Sequence, residues 1–421
     1  MFLRKVAFGS AVTIVSACAA GGSEQPPAAA PPPPQGQWSV EEEDPVPEPI
    51  QAMPVEAATT PPAPNENPFV GAEFFLDQRH VKNVESTIAD APKELHAKIK
   101  KVATFPTALW MDRIEAVKML PGWLEAAKAQ SKKSGKPVVP VIVVYDLPNR
   151  DCSAKASAGE LKVEEGGEQR YRTEYIDAIA AELAKFPELK VAAVVEPDSL
   201  PNVATNMNVE HCAKSADIYK HSIAYTISKL SLPNVYLYLD AAHAGWLGWI
   251  GNREKMGQIF KDVVEMAGGP DRIRGFATNV SNNNALEGDW GKKLEPSNPC
   301  GNELDYVDGL TETFAKYGFE NKGVIVDTSR NGVQETRTKW GHWCNVKGAG
   351  LGERPKVAPR EHVDAYYWVK PPGDSDGVSD PNAPRFDEFC ASPDSAENAP
   401  QAGQWFTSYF IDLVKNANPP L

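Results

Sequence analysis

The sequence predicts an α/β protein whose parallel strands form one barrel-like sheet, and three observations support this fold class. Short runs of β-branched and aromatic residues recur along the chain, as expected for strands buried on both faces of a parallel sheet. Helix-like stretches separate these runs, which predicts right-handed β–α–β crossovers. Six or more such units within the 357 residues from 65 to 421 favour a barrel over an open, doubly wound sheet.

The predicted elements follow one another without a break in composition. The strands are residues 138–145, 191–195, 235–239, a run near Phe276, 323–326 and 365–369. The helices are residues 81–101, 114–134, 168–186, 210–230, 254–267 and 303–318. Because no Pro-, Ser- or Gly-rich stretch divides these elements, we predict that residues 65–421 form a single domain.

The first 64 residues differ in composition from the rest. Residues 1–18 read as a signal segment, in which two basic residues precede a short apolar stretch that ends Ser16-Ala17-Cys18. This end resembles the lipobox of bacterial lipoproteins, so we predict a lipid-modified Cys18; the alternative is an ordinary cleaved signal. Residues 19–64 hold 13 of the 37 prolines and seven acidic residues but no Lys or Arg, which predicts an extended acidic linker. We therefore expect the domain outside the cytoplasm, lipid-anchored at the cell envelope or surface, or alternatively secreted.

Charge and missing motifs exclude several function classes. The net charge of −13 and the pI near 5.2 argue against nucleic acid as a partner. No apolar run reaches 18 residues, so a spanning helix beyond the N-terminus is excluded and we expect membrane contact only through the lipid at Cys18. The sequence has no glycine-rich nucleotide loop, no Gly-x-Ser-x-Gly elbow and no His/Cys spacing typical of metal ligands. We expect a monomer that uses neither a cofactor nor a metal.

Polar side chains follow nearly every predicted strand. In parallel α/β folds the active site lies at the carboxyl ends of the strands, so we expect these residues to share one site. In chain order they are Asp146, Arg150 and Asp151; Glu196 and Asp198; Asp240 and His243; Asn279 and Asn282; Asp327 and Arg330; and Lys370, Asp374 and Asp376. A helix cap explains any one of these positions but not all of them together. Tryptophans beside the carboxylates, such as Trp246 and Trp249, are typical of a carbohydrate cleft, and the pattern predicts a glycosidase.

Longer motifs make this prediction specific. Residues 145–160, which begin Tyr-Asp-Leu-Pro-Asn-Arg-Asp-Cys, and residues 194–201, Val-Val-Glu-Pro-Asp-Ser-Leu-Pro, resemble the two signatures of the family 6 glycoside hydrolases. The resemblance continues in the right order through residues 239–249, 277–280, 339–346, 368–377 and 399–405. It covers residues 65–421 as a catalytic domain and is strongest to the cellobiohydrolase II type. It implies a distorted, partly open (β/α) barrel of about seven parallel strands, and inverting hydrolysis of β-1,4-glucosidic bonds in cellulose chains and cello-oligosaccharides.

The resemblance also implies a role for each site residue. Asp198 would be the general acid, and Asp151 would keep its proton by like-charge repulsion and help to activate water. Asp376 matches the carboxylate often proposed as the base, although water activation through a chain is an open alternative. The substrate-binding residues would be Tyr145, Ser157, Asp240, His243, Trp246, Trp249, Asn282, Trp343, Lys370, Asp374 and Phe75. Asp374 stands where the family has Glu and reaches less far, and Phe75 stands where a Trp is common, which predicts weaker stacking.

Two long loops bear on exo or endo action. Residues 151–167 and 371–393 resemble the loops that roof the cleft in cellobiohydrolases, and endoglucanases of the family shorten the second loop. We therefore predict exo action with cellobiose release from non-reducing ends; the alternatives are an endo-β-1,4-glucanase and a non-catalytic surface glucan-binding lipoprotein. The resemblance implies the disulfides Cys152–Cys212 and Cys344–Cys390, and leaves Cys300 as a thiol.

Overall fold

A computed structural model describes residues 60–421 of the chain. The predicted signal segment, the lipidation site Cys18 and the linker up to residue 59 lie outside the described residues and stay predictions. Within residues 60–421, no helix is long and apolar enough to cross a membrane.

The strands form one large sheet and one small one. The strands are β1 (Glu73–Phe74), β2 (Leu109–Met111), β3 (Val138–Val139), β4 (Val141–Val144), β5 (Val191–Val195), β6 (Val235–Asp240), β7 (Gly275–Thr278), β8 (Gly323–Asp327), β9 (Lys356–Arg360) and β10 (Val363–Tyr367). The large sheet has the order β2-β4-β5-β6-β7-β8-β10-β9, and β1 pairs with β3. All neighbours in the large sheet run parallel except β9, which is antiparallel to β10. The described residues thus contain the seven-stranded parallel sheet that the sequence predicted, with one extra antiparallel edge strand.

The large sheet curls until its first strand approaches its last parallel strand. The backbone N–H of Ala108 donates a hydrogen bond of 3.1 Å to the carbonyl of Trp368, and the indole N–H of Trp110 donates one of 2.8 Å to the carbonyl of Val369. These two hydrogen bonds connect β2 and the residue before it with the residues that follow β10. They are isolated bonds and do not form the continuous ladder of paired strands, so the barrel is not fully closed. The prediction of a distorted, partly open barrel is confirmed.

Helices cover the outside of the barrel between successive strands. They are α1 (Gln78–Ser86), α2 (His96–Val102), α3 (Leu120–Ser134), α4 (Gly167–Arg170), α5 (Asp177–Leu183), α6 (Ser199–Thr205), α7 (Glu210–Leu230), α8 (Ala244–Leu247), α9 (Ile250–Met266), α10 (Trp290–Leu294), α11 (Glu303–Ala315) and α12 (Thr407–Lys415). The prediction for residues 210–230 is confirmed by α7. The prediction of one helix over 81–101 is wrong: α1 and α2 are separate there, because Pro92 lacks an N–H and disfavours helical backbone at Ala91.

Alternate strand residues pack into two different cores. Leu237 and Leu239 of β6 face the helices, whereas Tyr236 and Tyr238 of the same strand fill the barrel interior. This alternation buries both faces of the sheet and leaves the strand ends as the place where polar side chains meet solvent. The barrel therefore presents its strand-end residues on one face of a rigid frame.

Candidate active site

Eight of the fourteen predicted strand-end polar residues line one cleft at the carboxyl ends of the barrel strands. Twelve of the fourteen predicted catalytic and substrate-binding residues line this cleft: Tyr145, Asp151, Ser157, Asp198, His243, Trp246, Trp249, Asn282, Trp343, Lys370, Asp374 and Asp376. The other two, Asp240 and Phe75, lie behind its wall. The prediction that the strand-end residues share one site is therefore confirmed in part. Six of them are buried and do not line the cleft: Asp146, Glu196, Asp240, Asn279, Asp327 and Arg330.

The backbone at the strand ends is strained where the carboxylates emerge. Asp151 has a φ of 58°, Glu196 a φ of 48° and Asp198 a φ of 64°, all in the left-handed region that residues with a Cβ rarely adopt. Such strain persists only when the surrounding structure over-determines it, and it is concentrated at active sites. Glu196 shows how the turn is held, because its carboxylate accepts hydrogen bonds from the backbone N–H of Asp146 and from the hydroxyl of Tyr171.

Asp198 lies in an acidic environment. Burial raises the pKa of its carboxyl well above the ordinary value, and the nearby carboxylates of Asp240 and Asp151 raise it further. Asp240 is 3 % exposed and accepts hydrogen bonds from the backbone N–H of Asp198 at 3.0 Å and of Ala242 at 3.2 Å. Burial raises the pKa of Asp240 to about 7. Asp198 is therefore held in the protonated form that a general acid requires.

Asp151 lies near Asp198, but its carboxylate has a polar partner of its own. The hydroxyl of Tyr145 donates to its carboxylate at 2.7 Å, and the Arg150 guanidinium lies 4.1 Å over the Tyr145 ring. Arg150 also donates from Nε to the backbone carbonyl of Ser157 at 2.9 Å, which fixes the loop that carries Ser157. Burial raises the pKa of Asp151, while Arg150 and Tyr145 oppose that rise. Arg150 and the Tyr145 hydroxyl thus limit the rise in the pKa of Asp151, whereas the neighbouring carboxyl groups add to the rise at Asp198.

Asp376 has the opposite environment. Arg330 donates from Nη1 to both of its carboxylate oxygens, at 2.9 and 2.8 Å, and the Lys370 ammonium lies 3.5 Å away. The backbone N–H of Asn345 donates a further bond of 2.8 Å. Burial alone would raise the pKa of Asp376, but Arg330 and Lys370 outweigh burial and lower it. Asp376 is thus a firmly ionised carboxylate with its oxygens already engaged.

One end of the cleft is formed by polar groups around Lys370. The Lys370 ammonium lies 5.7 Å from the centre of the Trp110 ring, and Trp110 meets the Tyr145 ring edge-on at 5.3 Å. Burial raises the pKa of Asp374 to about 6, although Lys370 and Arg79 oppose the shift. Arg79 also lines the cleft, so this end is charged and polar as well as aromatic.

The other end carries two indole rings whose orientations are fixed. Trp246 donates from Nε1 to the hydroxyl of Thr205 at 2.7 Å, and Trp249 donates to the hydroxyl of Ser297 at 3.1 Å. Both rings are partly exposed and line the cleft. Held by one edge, each ring offers a flat apolar face to the cleft, which suits stacking on a sugar ring. His243 lies between these rings and the carboxylates, 6.0 Å from Trp246.

The structure places Phe75 elsewhere than predicted. Its side chain is 3 % exposed, belongs to the core between the sheet and the helices, and does not line the cleft. The expectation that this ring stacks on a sugar is therefore wrong. Residues of α1 and its cap, Asp77, Arg79 and Asn83, line that side of the cleft instead.

Two loops close over the cleft and touch each other. The backbone N–H of Lys155, in the loop after β4, donates a bond of 2.8 Å to the carboxylate of Asp387 in the 371–393 loop. Ala156 packs against the Cys344–Cys390 disulfide beside this contact. Disulfides join Cys152 to Cys212 and Cys344 to Cys390, so the implied pairing is confirmed. Cys300 is buried and joins neither bridge; its sulfur lies 3.2 Å from Arg253 Nη1.

Two cleft residues, Trp110 and Asp387, escaped the sequence reasoning, as did the buried Arg337, which does not line the cleft. Trp110 lies on a strand of only three residues, too short to be recognised as a buried run, although a Trp two residues before Asp112 at a strand end was a usable signal. Asp387 is one of several acidic residues in the roof loop, and nothing local distinguishes it. Arg337 lies in a polar segment without periodicity, and its burial depends on contacts with distant parts of the chain.

Comparison with known proteins agrees with this geometry. Residues 69–417 match the family described as "Glycosyl hydrolases family 6". The chain belongs to that family. It is 42 % identical over 357 residues to "Exoglucanase 3" of Agaricus bisporus, covering 84 % of this chain and 80 % of that protein. It is also 42 % identical over 360 residues to "1,4-beta-D-glucan cellobiohydrolase CEL6A" of Pyricularia oryzae, covering 84 % and 73 %.

Solved structures of family 6 members share the fold. The CcCel6A catalytic domain complexed with p-nitrophenyl beta-D-cellotrioside has 43 % identity and a TM-score of 0.82, with 85 % of this chain and 99 % of that chain covered. The catalytic core of the cellobiohydrolase Cel6A from Chaetomium thermophilum has 42 % identity and a TM-score of 0.81, with 85 % and 100 % covered. The identification as a family 6 glycoside hydrolase, made from the motifs, is thereby confirmed.

Proposed function

We propose that this protein is an inverting family 6 cellobiohydrolase that cleaves β-1,4-glucosidic bonds in cellulose chains and cello-oligosaccharides and releases cellobiose. The observation that carries the hydrolytic activity is the acidic cluster around Asp198. A glycosidase needs a carboxyl group that keeps its proton until the leaving oxygen takes it. Burial and two like-charged neighbours give Asp198 that property. The choice of cellulose as the substrate rests on analogy with the relatives named exoglucanase and cellobiohydrolase.

In the proposed reaction, Asp198 protonates the leaving glycosidic oxygen while water attacks the opposite face of the sugar. Tyr145 and Ser157, on the Asp151 side, are placed to hold the reacting sugar and the water. Asp151 takes the proton of that water through hydrogen bonds in its ionised form, which Arg150 and the Tyr145 hydroxyl favour, and burial then favours the protonated carboxyl that results. Asp376 supports the site as an anion that orients Lys370 and Arg330, because its pKa is lowered and its oxygens are engaged.

The contact between the roof loops supports exo action. The support is the bond from Lys155 to Asp387, which links the two loops, and the two disulfides, which hold them; in this proposal the linked loops close the passage above the catalytic carboxylates. A closed passage admits a chain by its end and hinders access to bonds in the middle of a polymer. The end of the cleft at Lys370 and Asp374 binds the non-reducing side in this proposal, and the Trp246 and Trp249 platforms bind the other side.

The hydrolytic activity is tested with cellohexaose. We expect cellobiose as the main product, with the α-anomer formed first when the reaction is followed by proton NMR. A β-anomer at early times would overturn inversion, and binding without any product would favour a non-catalytic glucan-binding protein.

The exo action is tested by loosening the roof. In Asp387→Asn, the oxygen can still accept from the N–H of Phe389, which it caps, but the amide nitrogen then faces the N–H of Lys155. We expect this variant to lower the viscosity of a soluble cellulose derivative more per bond cleaved than the wild type does. Asp380→Asn is the matched control, because Asp380 is an exposed carboxylate of the same loop that bonds only within it. A wild type that already lowers viscosity as fast as Asp387→Asn would overturn the exo assignment.

We further propose that the enzyme acts as a monomer held at the cell envelope by a lipid on Cys18. The support is the sequence pattern before Cys18 and the acidic Pro-rich segment that follows it. Cys18→Ser is expected to move the protein from the membrane fraction to the soluble fraction, and retention on membranes would overturn the anchor.

A further inference from the structure

His243 lines the cleft, but only one of its two ring nitrogens has a hydrogen-bond partner within residues 60–421. Its Nε2 lies 3.0 Å from the side-chain nitrogen Nδ2 of Asn282. Its Nδ1 is buried and has no such partner. A neutral imidazole carries its proton on one nitrogen and accepts on the other, so the orientation of the Asn282 amide decides which form is present.

That amide orientation is fixed from the other side. The oxygen Oδ1 of Asn282 accepts from the backbone N–H of Asn283 at 2.8 Å and from Nη1 of Arg337 at 3.1 Å. Both partners are donors only, so neither tolerates the amide nitrogen in place of the oxygen. The NH2 group must therefore face His243, and His243 must accept at Nε2.

We propose that Arg337 is a positioning residue that acts through Asn282 to hold His243 in the neutral form with its proton on Nδ1, so that this ring in the wall of the cleft carries no charge that changes with pH. The proposal rests on the proposed function for its ligand, a β-1,4-glucan chain. The protonation state follows from the hydrogen-bond arrangement alone and holds without substrate.

Protonation of His243 would break this arrangement. A proton on Nε2 would point at the NH2 group of Asn282, so that two donors would face each other. Turning the amide would remove this clash but would place the NH2 group against two other donors, Arg337 and the N–H of Asn283. The charged groups facing this region are one cation, Arg337, which opposes a charge on His243, and two carboxyl groups whose pKa burial raises, to about 8 for Glu303 and to about 7 for Asp240. Arg337 lies on one side, Glu303 binds the next backbone N–H along the chain, and Asp240 ends the preceding strand. Burial lowers the pKa of His243 to about 3, and the positive charge of Arg337 adds to that effect.

Arg337 is itself held in place on several sides. It is 3 % exposed, donates to the side-chain oxygen of Asn284 and to the carbonyl of Trp340, and lies near the faces of the Trp290 and Trp340 rings. Asn284 in turn donates to the buried carboxylate of Glu303 at 3.0 Å. Arg337 does not line the cleft, so any effect of this residue on sugar binding must pass through its neighbours.

The wild-type protein allows a direct test by nitrogen NMR of its histidine side chains, with the His243 signals assigned from their loss in His243→Gln. We expect His243 to show a protonated Nδ1 and an unprotonated Nε2 at every pH from 5 to 8. Free histidine titrates near pH ~6.5, so a charged ring at pH 5 or a proton on Nε2 would overturn the proposal. The spectra need no substrate, so failure here is distinct from failure of the proposed function.

The role of Arg337 in substrate binding is tested with the variants Arg337→Leu and Arg337→Lys, assayed on cellotetraose. Loss of the donor in Arg337→Leu frees the Asn282 amide, so we expect KM to become several-fold pH-dependent between pH 5 and 8 while the pH dependence of kcat is unchanged. Arg337→Lys, which keeps one donor, is expected to restore the pH-independent KM in part. A KM that shifts equally at all pH values would mark a merely structural role and overturn the positioning role.

If Arg337→Leu does not fold, Asn282→Asp provides the second route. Its carboxylate still accepts from Arg337 and Asn283 but also accepts from His243, so the NMR spectra should show the proton moving to Nε2 and titration at higher pH. An unchanged Nδ1–H signal in this variant would overturn the control by residue 282.

Discussion

The carboxyl groups of Asp198 and Asp376 both line the cleft but have opposite electrostatic environments. Asp198 lies with Asp240 and Asp151 and without a cation in contact, and its pKa is raised. Asp376 contacts Arg330 and Lys370, and its pKa is lowered although its side chain is buried. The same side chain therefore keeps a proton at one position and is held as an anion at the other.

The difference shows that burial alone does not assign a role. Burial raises the pKa of both groups, and the neighbours decide whether that rise survives. A buried anion is tolerated only when it is paired, so Asp376 contributes to the fold as well as to the site. Asp198 lacks such partners and is suited to give its proton away.

The largest expected effect comes from Asp198→Asn, which removes the proton donor and keeps the shape. We expect kcat on cellotetraose to fall by about 10²- to 10⁴-fold, the usual contribution of general acid catalysis. Binding of the oligosaccharide, measured by calorimetry, should change little. Asp217→Asn is the matched control, because Asp217 is an exposed carboxylate on α7. Turnover near the wild-type level would refute the assignment of Asp198.

Asp376→Asn should damage stability as well as activity. It leaves the fully buried Arg330 without its anion, and breaking a buried pair from one side costs about 3–5 kcal/mol. Because folding lowers the pKa of Asp376, the wild-type advantage exists above the unfolded pKa of about 3.9 and disappears as pH falls through the lower folded value. We expect the difference in Tm between wild type and variant to be large at pH 7 and to shrink near pH 3. A variant with lost activity and an unchanged Tm would instead identify Asp376 as the base.

Asp240→Asn should have the smallest effect, on pH dependence. Its oxygen can still accept from the N–H groups of Asp198 and Ala242, but the negative charge that helps to raise the pKa of Asp198 is gone. Activity is lost as pH rises through the pKa of Asp198, so lowering that pKa moves the alkaline limb of the kcat profile to lower pH. We expect a shift of about one pH unit, equivalent to about 1.4 kcal/mol. An alkaline limb that stays in place would show that Asp240 does not tune the acid.

Local patterns in the sequence were enough to predict the barrel and most of the cleft. Continuous apolar runs mark β4, β5, β6, β8 and β10, since these strands are buried on both faces. Strand β9 was missed because Lys356–Arg360 is a half-exposed edge strand with two basic residues and a proline. Its pairing with β10 is a tertiary contact that no local pattern encodes.

The site was predicted where strand ends fix a side chain and was missed where packing does. Asp151 and Asp198 lie in the loops that follow the neighbouring strands β4 and β5, so their convergence follows from topology. The position of Phe75 depends on how the chain turns after β1, and the core offered its ring more apolar contact than the cleft. The opposite pKa shifts of Asp198 and Asp376 depend on Arg330, which reaches Asp376 across 46 positions of the chain.

The joined roof loops have a consequence for how a polymer is retained. For a chain bound as we propose, the loops anchored by Cys152–Cys212 and Cys344–Cys390 form a ring around the sugar. A threaded chain can leave only by moving lengthwise. Enclosure therefore slows dissociation of the chain, and tight binding of each sugar is not needed for this. The contacts to individual sugars can then be weak enough for the chain to slide forward by one cellobiose unit after each cut.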